Sequence, residues 1–146
     1  PGYKEDQVII EVAKLALEQD YPSTLFDLVI IADSFKEETL EALKVLPIKL
    51  IEVSFDKSTK SKALNKAMAA LTREYDIAVV LDADNVMATD FLNKINAAFE
   101  HNFIAVQGHR TAKNINNKNR ILKLFNCFRK LILKKRTHQN SKTGNK

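Results

Sequence analysis

The chain has 146 residues, 45% of them apolar and 28% charged, the composition of a globular domain and a length that suits a single hydrophobic core. No uncharged apolar run exceeds five residues, too short for a membrane-spanning helix. Gly2, Gly108 and Gly144 spell neither a Walker loop nor a G-x-G-x-x-G fingerprint, and Cys127 alone makes neither a disulfide nor a thiolate zinc cluster.

The formal charge of +5 is unevenly divided. Residues 1–100 carry 11 Lys and Arg against 18 Asp and Glu, a net of −7, whereas residues 101–146 carry 12 Lys and Arg and no carboxylate, a net of +12. Such a tail suits a polyanion, an anionic membrane surface or a phosphorylated ligand. His101, His109 and His138 do not stand at metal-ligand spacing.

Val8, Val12, Leu15 and Ala16 recur at helical spacing, and the segment halts at Gln19-Asp20-Tyr21-Pro22. Leu28 to Ala32 is an apolar run of the kind expected for a strand buried on both faces, ending at Asp33. Leu40, Leu43 and Leu46 predict a second helix closed before Pro47, and Ile48 to Val53 a second strand finishing near Asp56. Ala63, Leu64, Ala67, Met68 and Leu71 form the clearest apolar helix face. Ile77 to Leu81, the clearest buried strand, runs into Asp82-Ala83-Asp84-Asn85. Phe91, Leu92, Ile95 and Phe99 predict a further helix, and Phe103 to Gln107 a strand stopped by Gly108. From Ile121, Leu124, Phe125, Phe128, Leu131 and Ile132 alternate with Lys and Arg as a basic amphipathic helix that holds Cys127. Docking on the sheet and attachment to an anionic membrane surface both suit that helix.

Strands alternating with helices predict an α/β fold, a mainly parallel sheet with helices on both faces. Ligands of such sheets bind outside the carboxyl ends of the strands, and there the sequence places Asp33, Asp56, Asp82, Asp84 and Gln107. In an extended backbone Asp82 and Asp84, at i and i+2, leave on the same side. Two carboxylates so placed suit magnesium or manganese shared with ligand phosphates and water.

Six motifs in order then carry a resemblance: Pro1-Gly2-Tyr3-Lys4-Glu5, Gln19-Asp20-Tyr21-Pro22, Ile31-Ala32-Asp33, Lys62-Ala63-Leu64-Asn65, Leu81-Asp82-Ala83-Asp84-Asn85 and Val106-Gln107-Gly108. Together they resemble the nucleotide-sugar-binding half of a family 2 glycosyltransferase with the Rossmann-like GT-A fold. The resemblance implies a UDP-sugar donor, with Pro1, Tyr3, Glu5 and Asp33 around uracil and ribose. Asp82 and Ala83 would face the ribose and the metal, Asp84 would be the principal ligand of Mg or Mn, and Lys62 would meet a phosphate or uracil oxygen. The resemblance covers residues 1–114 as the GT-A portion; the residues beyond are read from their own pattern as the basic helix at 115–136 and, with no apolar content, a disordered tail at 137–146.

Three departures stand out: Lys4 replaces the asparagine of the family's P-x-Y-N-E opening, Phe35 replaces serine in the turn after Asp33, and Ser61 stands where the family has glycine before lysine. The resemblance also implies a first strand before the opening motif, and a general base and acceptor half well downstream of D-x-D. No Asp or Glu follows Glu100, so the expectation is a fragment that binds donor without completing transfer; His109 is expected to contact ligand or solvent. The full-length parent would work in polysaccharide biosynthesis or on a lipid acceptor, at the cytoplasmic face of a membrane, with no specific nucleic acid. Two alternatives remain open: a haloacid-dehalogenase-like phosphatase with Asp82 as nucleophile, and a basic polyanion-binding module.

Overall fold

In the computed structural model, which describes residues 1–101 and 103–108, the elements run β1 (Gly2–Tyr3), α1 (Ile9–Leu17), β2 (Val29–Asp33), α2 (Glu37–Lys44), β3 (Lys49–Val53), α3 (Lys60–Ala70) and α4 (Phe91–Glu100). The strands form one parallel sheet in the order β1-β2-β3, with Tyr3 beside Asp33 and Asp33 beside Val53 at the carboxyl edge. His109, Cys127, the basic helix at 115–136 and the tail at 137–146 lie outside the described residues.

The apolar run of β2 follows from burial on both faces. Ile30 packs with Ile9 and Ala13 of α1 and Leu43 of α2, whereas Ile31, one residue on and therefore on the opposite face, packs with Val53, Ala63 and Ala67. Three of the four helix starts have an identifiable hydrogen-bonding cause. Glu5 accepts the Val8 and Ile9 N–H groups ahead of α1, Asp6 Oδ1 accepts the Lys36 N–H at 2.8 Å ahead of α2, and the Thr59 hydroxyl accepts the Lys62 N–H at 3.3 Å in α3. Two helices depart from the periodic pattern: α2 stops at Lys44 and leaves Leu46 in the turn before Pro47, and Met68 of α3 is exposed while Ala63 and Ala67 face the sheet.

Two expected strands do not form. Ile77 to Leu81 belongs to no ladder; the edge strand β1 is only two residues long and offers little edge for a neighbour to pair with. The run is held by side chains instead: Ile77, Val79 and Leu81 pack on a cluster of Ala16, Met87, Phe91, Ile95 and Phe99. Phe103 to Gln107 is likewise not a strand; Phe103 and Ile104 are exposed and Val106 alone leans on that cluster.

Gln19 and Asp20 fasten this second unit to α1. The buried Gln19 donates from Nε2 to the Ala88 carbonyl at 2.9 Å and accepts the Leu92 N–H at 3.2 Å, and the Asp20 N–H donates to Thr89 at 2.8 Å. Among the described residues no helix is long and apolar enough to cross a membrane.

At the amino edge of the sheet Asp27 Oδ2 accepts from Tyr75 Oη at 2.6 Å, Lys49 Nζ at 3.1 Å and Arg73 Nη1 at 3.3 Å. The Tyr75 hydroxyl, then Lys49, holds the Asp27 carboxyl below its ordinary value, and Tyr75, then Asp27, raises Lys49. The signs set the pH window. The Asp27 contribution is complete above its unfolded value, near pH 4, and is lost as pH falls through its lower folded value. That of Lys49 is complete below its ordinary value and lost only as pH rises through the raised one. Urea unfolding is therefore expected to show Asp27→Asn less stable than the wild type at about pH 7, with the gap closing below about pH 4.

Candidate functional site

The carboxyl edge is built where β1 and β2 end together. Directly beyond the paired Tyr3 and Asp33, both chains turn through left-handed residues, Lys4 at φ 53° and Ser34 at φ 59°. Asparagine, the family's residue at the first of these positions, adopts this region more easily than lysine does. The Lys4 N–H donates to the Asp33 carbonyl at 3.2 Å, its ammonium lies 5.3 Å above the Tyr3 ring, and Tyr3 is 55% exposed.

Asp33 is buried, and its carboxylate is held by hydroxyls on both oxygens: Ser34 Oγ donates to Oδ1 at 3.0 Å and Ser58 Oγ donates to Oδ2. A carboxylate out of water needs such donors. Beside it a cavity of about 250 Å³ is lined by Ala32, Ser34, Phe35, Leu40, Glu52, Val53 and Ser54.

Asp82 and Asp84 do not leave an extended strand side by side. The Asn85 N–H donates to the Asp82 carbonyl at 3.1 Å and closes a turn with Ala83 and Asp84 at its corners. The reason is the missing ladder: without a partner to keep it extended, the backbone folds back as soon as the apolar run ends. Asp84 projects into solvent at the corner, and Asp82, half exposed, forms an ion pair with Lys60. Pro1 also stands beside this pair.

Glycine is required at position 2 by close approach. A Cβ there would lie 2.8 Å from Phe35 Cζ and 3.2 Å from the Ala83 Cβ, so Gly2 lets the Asp82–Asn85 turn and the Phe35 ring close over β1. Gly2→Ala is expected to destabilise the chain by about 1–3 kcal/mol in urea unfolding, with part recovered by Phe35→Leu.

The structure thus brings Pro1, Asp82 and Ala83 together, with Tyr3 and Asp33 on the same edge. Glu5 points its carbonyl at α1 rather than at the edge. Lys62 does not join the acids: its ammonium donates to the Lys57 carbonyl at 3.0 Å and lies 6.0 Å from the Phe55 ring centre. The lysine paired with an acid at this edge is Lys60, which sequence reasoning missed together with Ser58 and the close-approach role of Gly2. Thr59 as helix cap was the available signal, since it sets Lys60 at the first turn, facing the edge.

Among the described residues no three His, Cys, Asp or Glu assemble to hold a metal. A divalent ion would have at most Asp82 and Asp84, hard oxygen donors that fit magnesium or manganese when phosphate oxygens and water complete the shell.

The parallel sheet with helices on both faces has the Rossmann-like architecture that the sequence implied. A family model described as glycosyl transferase family 2 matches residues 1–146. The chain belongs to glycosyl transferase family 2, whose members in general use nucleotide-sugar donors and divalent metals. The crystal structure of TarS 1-349 from S. aureus is similar, with a TM-score of 0.65 and 20% identity over 82% of this chain, a likeness of fold. This chain covers 36% of that one, about a third of its length. No curated protein matches. Family membership sets aside the phosphatase reading of Asp82.

Proposed function

We propose that the chain binds the UDP moiety of a nucleotide-sugar at the carboxyl edge, together with a divalent cation at Asp84 and Asp82. In the full-length protein the sugar would pass to a saccharide or lipid acceptor, at the cytoplasmic face of a membrane. The observation that carries this reading is the Asp82–Asn85 turn, which brings Ala83 against Gly2 and Asp82 near Pro1 beyond a parallel sheet, with Asp84 exposed at its corner. Bound there, a divalent ion would supply the positive charge that a diphosphate needs next to carboxylates.

The protein's own residues do the rest. Two like unit charges 4 Å apart repel by about 4 kcal/mol at an effective dielectric near 20, so the acids discriminate against a diphosphate that arrives without a cation. Asp33, fixed by Ser34 and Ser58, would present a carboxylate of set orientation to ribose or uracil, and the cavity walled by Phe35 offers an aromatic face to the base. Tyr3, exposed beside Lys4, would close the other side.

Thermal melts test the reading. UDP with manganese together is expected to raise Tm, by about 2.7 kcal/mol of added stability at a hundredfold excess over Kd, whereas neither alone approaches that shift. A generic phosphate ester that protects as well as UDP would count against it.

A further inference from the structure

Lys60 stands in an unfavourable place. It is the first residue of α3, a helix with no acidic residue in its first turn, and a cation at a helix N-terminus opposes the macrodipole. What faces it is Asp82, 22 residues further along the chain, through the ion pair between Nζ and Oδ1. Both partners are close to half exposed, at 47% and 43%, and exposed pairs of this kind are weak.

We propose that Lys60 is a displaceable counter-ion of Asp82: it holds the carboxylate in the cation-free protein, and a divalent cation must compete with it for the same oxygen. The proposal rests on the cation reading of Asp82 and Asp84 above. A buried, fully desolvated pair would keep Asp82 from any metal, because separating it would leave a charge uncompensated. A half-exposed one yields to a doubly charged ion and lowers cation affinity only by the work of breaking it. Lys62, two residues on, takes no part because its ammonium is engaged by the Lys57 carbonyl. The consequence is that manganese alone binds poorly, which favours its arrival together with a diphosphate.

The test is manganese binding to the 146-residue chain, read from the electron paramagnetic resonance signal of free Mn²⁺. Lys60→Met is expected to tighten Mn²⁺ binding about three- to fivefold, and Lys60→Gln to do the same. Lys66→Met, which removes an equal charge further along α3, leaves it unchanged. In an Asp82→Asn background Lys60→Met gains nothing. Affinity unchanged or weakened in both Lys60 variants overturns the proposal. So does an equal gain in Lys66→Met or a gain that survives Asp82→Asn, since each signals a general field rather than competition. Wild-type binding that depends on Asp84 but ignores Lys60 sinks this inference alone, and no binding by any variant, with or without saturating UDP, sinks it together with the cation reading.

Discussion

Asp84→Ala is expected to weaken manganese-dependent UDP binding at least about a hundredfold, or about 2.7 kcal/mol, and to leave the fold almost untouched. The asymmetry comes from position. Asp84 occupies an exposed turn corner and makes no ion pair among the described residues, unlike Asp82 with its Lys60. Exposed substitutions away from caps and networks stay within about 0.5 kcal/mol in stability, so Tm should move little while the cation loses its one carboxylate that needs no displacement. Asp84→Asn, which keeps the size and removes the charge, is expected to behave like the alanine variant. Calorimetric titration of UDP with manganese, paired with melting curves, checks both halves. A variant that binds as the wild type does would remove Asp84 from the site.

Phe99→Ala is expected to cost about 3–5 kcal/mol, the largest stability effect of any single truncation considered for this chain. Phe99 is 2% exposed and belongs to the cluster on which Ile77, Val79 and Leu81 rest. Because those residues belong to no ladder, side-chain packing is a main support of the Asp82–Asn85 turn, and the lost ring should loosen the turn as well as the core. Ile31→Ala, at a site 4% exposed on the α3 side of β2, is expected to cost a comparable 2–5 kcal/mol in a cluster that includes no residue of that turn. Urea unfolding measures the cost of each. At temperatures where both variants remain folded, Phe99→Ala should bind UDP with manganese more weakly than Ile31→Ala; equal affinities would show that the turn is held by something other than this packing.

The elements buried on two faces were legible because burial leaves a compositional trace. Five consecutive apolar residues at β2 can satisfy α1 and α2 on one side and α3 on the other, and the sequence shows that directly. The same trace misled at Ile77 to Leu81: an apolar run looks alike whether it is paired in a ladder or merely packed against Phe91 and Phe99, and nothing local announces which neighbour lies alongside. The error carried into the site, since the expected side-by-side exit of Asp82 and Asp84 presupposed an extended backbone. Lys60 was passed over for Lys62 because the pair that defines it is an encounter between distant segments. Gln19 was recognised as part of a motif, but its role as the tie between α1 and the start of α4 needed coordinates. The acids themselves, Asp33, Asp82 and Asp84, were legible as polar endings to apolar runs, a contrast that the chain displays without any help from tertiary structure.

The account stands on a cation-dependent affinity for UDP at the carboxyl edge, and calorimetric titration of the 146-residue chain with UDP, in the presence and absence of manganese, measures it directly. Saturable binding with manganese and little or none without it is the predicted result. UDP binding of equal strength in both titrations, or none in either, would contradict it.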